Sequence, residues 1–101
     1  MRSNFRTYQL SVSFYHGCVA LKLPSHLRNQ LDRAASSVSL NLAEGSGRSS
    51  KKEQRRFYDI AFASLRECQA VLDLVLEPVE ELKDLADKLA AHLYCLIKAL
   101  A

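Results

Sequence analysis

Five cations fall within a short stretch: Arg48, Lys51, Lys52, Arg55 and Arg56, interrupted among charged residues only by Glu53. Clustered cations attract phosphates and suit sequence-independent contact with an RNA or DNA backbone. At ~100° per residue, Lys51, Lys52, Arg55 and Arg56 span an arc opposite Phe57 and Ala61, so they face outward on a helix. Four cations in the first two turns oppose the helix dipole, each at a cost of about 0.3–1 kcal/mol when exposed. Stability therefore does not select them there, which leaves room for binding. The alternative is a solvated helix face. No RNA-recognition motif accompanies the cluster, so base-specific readout is not expected.

Other residues invite chemistry less strongly. Asn41 and Glu44 are three apart and share a helix face. With Arg48 they make either a polar site or a structural tie, in which Glu44 pairs with Arg48 or Arg33. The run Gly45-Ser46-Gly47-Arg48-Ser49-Ser50-Lys51 precedes a helix start, where backbone N–H groups hold anions. Its spacing departs from GxxxxGK[ST] and no strand precedes it, so a tight turn followed by a helix cap explains it better. His16, His26 and His92 have no HxxxH or Glu-x-x-His spacing, so no metal or other cofactor is expected. Cys18, Cys68 and Cys95 are odd in number and lack CxxC spacing. They read as reduced, buried small hydrophobes in a cytoplasmic protein. No nucleophile–base–orienter set is visible, and the expectation is a protein that is not an enzyme.

The elements that must position these residues are four helices. Length (101 residues), 49% hydrophobic and 25% charged content, three glycines and two prolines argue for one ordered domain spanning 1–101. No apolar run reaches the ~18 residues of a membrane span, so no membrane partner is expected. Met1-Arg2-Ser3-Asn4-Phe5-Arg6 leads into no apolar h-region, so no signal peptide is expected. Pro24, Gly45-Ser46-Gly47 and Pro78 divide the chain into helices of about 5–21, 25–45, 50–77 and 79–100. Ser25 is a candidate N-cap, Gly45 suits a left-handed residue past a helix end, and Ser50-x-x-Glu53 is a capping box. Short connections between long amphipathic helices imply an antiparallel up-down-up-down four-helix bundle.

The first helix carries two apolar stripes. Phe5, Tyr8, Val12, Tyr15 and Val19 share one face, and Leu10, Phe14, Cys18 and Leu21 lie roughly opposite. Packing inside one bundle needs a single stripe. The second is therefore expected to meet another copy, so that the protein self-associates. The core faces of the other helices are expected at Leu27, Leu31, Ala34, Val38 and Leu42; at Phe57, Ile60, Ala61, Ser64, Cys68, Val71, Leu72 and Val75; and at Leu82, Leu85, Leu89, Leu93, Leu96 and Leu100. Charge is also divided. Residues 1–56 have a balance of +7 and residues 57–101 a balance of −4.

The stretch Leu23-Pro24…Leu27-Arg28…Gln30-Leu31…Arg33-Ala34-Ala35…Ser37-Val38…Asn41-Leu42-Ala43-Glu44-Gly45-Ser46-Gly47-Arg48 is distinctive. Its continuation is Phe57…Ile60-Ala61…Ala63-Ser64-Leu65…Glu67. Together they resemble the bacterial four-helix-bundle family of 23S rRNA intervening-sequence proteins, over nearly the whole chain. The resemblance implies a ring-like oligomer, the homopentamer, with Asn41, Glu44, Gly45, Gly47 and Arg48 as a family signature. It also implies kinship with a basic nucleic-acid-binding accessory protein that works beside a reverse transcriptase. The functional expectation is a non-enzymatic, homo-oligomeric scaffold or nucleic-acid-associated module; the alternatives are an accessory subunit of a protein such as a reverse transcriptase and, third, a small metal- or ligand-binding enzyme.

Overall fold

Helix boundaries follow from where the backbone can find partners. A computed structural model describes residues 5–101. The expectation of no signal peptide concerns Met1–Asn4 and lies outside the described residues. Four helices follow: α1 Arg6–Val19, α2 Ser25–Ser46, α3 Lys51–Asp73 and α4 Glu80–Ala99. The described residues include no strand.

Pro24, with φ −58° and ψ 151°, is the N-cap of α2, and its carbonyl accepts from the amides of Leu27 and Arg28. Ser25 was the expected cap, but it is the first helical residue and no side chain caps this end. Proline needs no partner for a missing N–H, which suits it to a helix start. At α3 the cap is Ser50, whose hydroxyl accepts from the Glu53 amide at 3.1 Å. The expected end of α3 at Glu77 is corrected to Asp73. Pro78 cannot donate to the residue-74 carbonyl, and its ring clashes with it, so its influence reaches four residues back. Leu74 and Val75 close the last turn by bonding to Val71 and Leu72.

The helices pack in cyclic order. α1 lies against α2 and α4, and α3 lies against α2 and α4. The pairs α1–α3 and α2–α4 have no Cα–Cα approach within 8 Å. One buried cluster fills the centre, including Phe14, Leu31, Val38, Leu42, Leu65, Leu72, Leu89 and Leu93.

The core face of α1 corrects the expected interface. Thr7, Ser11, Phe14 and Cys18 are buried, at i, i+4, i+7 and i+11. Phe14 and Cys18 are fully buried inside this chain and cannot present a surface to another copy, while Leu10 and Leu21 are half-buried against the same core. The opposite stripe stays partly open, with Val19 41% exposed. Two hydroxyls hid the true stripe. Ser11 Oγ donates to the Tyr8 carbonyl at 2.6 Å and is 2.8 Å from Ser39 Oγ on α2. A buried polar group paired in this way is tolerated.

Arg28 ties α1 to α2. Its guanidinium donates to the carbonyls of Cys18 in the last turn of α1 and Leu21 just beyond it, and pairs with Asp32 at 2.6 Å. On α3, Tyr58 and Leu65 are buried, whereas Ile60, expected inside, is exposed at the rim. Cys95, expected to be buried, is exposed.

Candidate nucleic-acid interface

The five-cation stretch folds into the corner where α2 turns into α3. Gly45 makes the corner tight. It is buried, lies within α2, and no glycine among the described residues has a positive φ. The expected left-handed role is therefore corrected to close approach. A Cβ here would lie 2.7 Å from Tyr58 Cε1 and 3.0 Å from Phe57 Cβ. Gly47 is the C-cap at φ −90° and ψ −4°, with its amide turned back to Glu44. The chain then enters α3 through the Ser50 cap.

Each cation meets a different environment. Arg48 pairs with Glu44 at 2.7 Å, and its guanidinium carbon lies 4.8 Å from the Phe57 ring centroid. Arg56 pairs with Glu53 at 3.2 Å and lies 4.4 Å from the same centroid. One half-buried ring thus carries two guanidinium groups, each matched by a carboxylate. Arg55 turns toward α4 and donates to the Leu100 carbonyl at 3.4 Å, where a cation suits the C-terminal end of a helix. Lys51 and Lys52 are exposed, and neither has an ion-pair partner among the described residues. The stretch therefore divides into two unmatched lysines, two matched arginines and one arginine bound to the helix frame.

Asn41 does not join Glu44 and Arg48. Its side-chain amide donates to the Ser37 carbonyl at 2.8 Å and to Ser37 Oγ at 3.0 Å. Ser37 Oγ in turn is 2.8 Å from Ser64 Oγ on α3. The signature residues thus split in role. Asn41 braces Ser37, which meets Ser64 on α3, Gly45 lets the two helices approach, and Glu44 orients Arg48.

A recess of about 1080 Å³ opens beside the corner, lined by Phe5, Arg6, Glu44, Gly47, Arg48 and Tyr58 among others. Among the described residues, no three of His, Cys, Asp and Glu converge as metal ligands. Burial pushes the thiols of Cys18 and Cys68 up to about 12, so both stay protonated and un-nucleophilic near neutral pH. Among the described residues, no helix is long and apolar enough to cross a membrane.

Sequence reasoning placed Phe57 on the core face and missed its second role as the floor under Arg48 and Arg56. The signal lay in the chain: an aromatic directly after Arg56, at a helix start that follows an arginine-bearing turn.

The family model for the 23S rRNA-intervening sequence protein matches residues 4–100. No curated protein and no solved structure matches the chain.

Proposed function

This chain belongs to the 23S rRNA-intervening sequence protein family, and on that footing we propose a non-catalytic module that binds RNA or DNA backbone through the α2–α3 corner. The helices run up-down-up-down, and copies assemble as a homo-oligomer that repeats the corner around a scaffold. The observation that carries the binding reading is the placement of Lys51 and Lys52. Both are exposed at the end of α3 where the dipole disfavours cations, and no carboxylate among the described residues neutralises them. Weak phosphate contacts repeated on several copies add through avidity. Three free cysteines support a reducing, cytoplasmic setting.

Salt dependence tests the reading. A Lys51→Gln/Lys52→Gln variant is expected to bind nucleic acid more weakly. Its slope of log K against log salt becomes shallower by roughly 0.7–0.9 per lost phosphate contact. Unchanged affinity and slope would make the corner ordinary solvated surface.

A further inference from the structure

We propose that the corner prefers single-stranded nucleic acid to duplex, by stacking unpaired bases on the arginines held over Phe57. The inference rests on the nucleic-acid reading above and names the substrate within it.

The five cations are not equivalent phosphate ligands. Arg48 and Arg56 already face Glu44 at 2.7 Å and Glu53 at 3.2 Å. A phosphate arriving at either must displace a carboxylate or sit beside it. What these arginines retain is a planar, weakly hydrated surface. Their guanidinium carbons lie 4.8 and 4.4 Å from the Phe57 centroid, within the range of cation–π attraction. The carboxylates bind their N–H groups, and the side chains remain 43% and 56% exposed. A nucleobase stacks well on an arginine plane that is fixed in advance, since little rotamer freedom is then lost on binding.

Only an unpaired base can take that place, because duplex bases are already stacked on their neighbours. Lys52 is four residues before Arg56 and so lies one turn away on the same helix face. Lys51 is similarly placed before Arg55. Unmatched lysines thus share the corner with two Phe57-backed arginines, the combination that holds a single strand: charge along its backbone and flat groups under its bases. The lysines supply salt dependence, and the Phe57-backed arginines supply the preference for unpaired strands.

Fluorescence polarisation at low salt tests this with three labelled probes: a mixed-sequence RNA of about 20 nucleotides, the same sequence as DNA, and its DNA duplex. The wild-type protein is expected to bind both single strands at least about tenfold more tightly than the duplex. Phe57→Leu should remove most of that difference and leave duplex affinity and the salt slope unchanged. The double variant Arg48→Lys/Arg56→Lys keeps the charge and loses the planes, so it should do the same without touching Phe57. Lys51→Gln/Lys52→Gln should weaken all three probes alike. Equal affinity for strand and duplex overturns the inference, as does single-strand binding indifferent to the arginine-to-lysine variant. In that case binding that still falls in the lysine variant leaves the phosphate reading standing. Failure to bind any of the three probes overturns both.

Discussion

At Gly45 the room for a single methyl group decides how closely α2 and α3 approach. The obstructing atoms belong to Tyr58 and Phe57: the edge of a buried ring, and a Cβ that moves only with the helix that bears it. Gly45→Ala is expected to cost about 1–3 kcal/mol in urea unfolding, the usual range for overpacking. Gly47→Ala meets nothing nearer than 3.7 Å and has an ordinary φ, so it should be neutral or stabilising by about 0.4–1 kcal/mol. The sequence made these glycines conspicuous, but not their roles, because a turn and a close approach leave the same letter in the chain. Cys18 and Cys68 carry a second residue-scale consequence. Their thiols titrate near 9.0 when unfolded and are pushed up to about 12 by burial in the fold. Above pH 9 the folded state therefore holds more protons than the unfolded one, and stability falls as pH rises toward 12. Both buried thiols contribute to the loss. Denaturant midpoints should fall above pH 9, less steeply in Cys68→Ala. In the native protein Cys95 should be the thiol that alkylates at pH 8.

Among the elements, α3 shows how local stability and binding oppose each other. The Ser50 hydroxyl satisfies the Glu53 amide, so Ser50→Ala should cost about 1 kcal/mol. Lys51 and Lys52, in the next two positions, work against the same terminus. Lys51→Gln/Lys52→Gln should raise the melting temperature, by the equivalent of about 0.3–1 kcal/mol per lysine, while nucleic-acid affinity falls. A variant that loses both stability and binding would mean that the lysines serve the fold. Element existence was legible in the sequence because apolar spacing and the two prolines repeat their signal over many residues. The inner face of α1 was not. Thr7 and Ser11 sit where apolar residues are expected, and their fitness for the core depends on Ser39, 28 residues beyond Ser11. The end of α3 was misplaced for a related reason, since Pro78 acts on a carbonyl four residues earlier.

For the whole molecule, the basic corner and the acidic α3–α4 connection lie apart. Phe5 on the approach to α1 meets Tyr58 with ring centroids 6.4 Å apart, and Arg55 reaches Leu100, so the basic corner shares one end with the start of α1 and the end of α4. The α3–α4 connection, with Asp73, Glu77, Glu80 and Glu81, lies at the other end of α3, roughly 35 Å away at 1.5 Å per residue. The radius of gyration, 13.3 Å, is what a packed chain of this length has alone, about 13 Å. With Phe14 and Cys18 inside, the core is complete without a second copy, and self-association must draw on what remains outside. That surface includes Val19 on α1, 41% exposed, and Leu40 on α2, 67% exposed. Light scattering at tens of micromolar should return a multiple of 11.4 kDa if copies assemble there. Val19→Glu/Leu40→Glu should then return a single-chain mass with the helical circular dichroism intact, because neither side chain is needed to fill the core. Phe14→Asp should instead abolish the helical signal, since it places a charge at a fully buried position. A wild-type mass of 11.4 kDa would refute the assembly and leave each corner to bind without avidity.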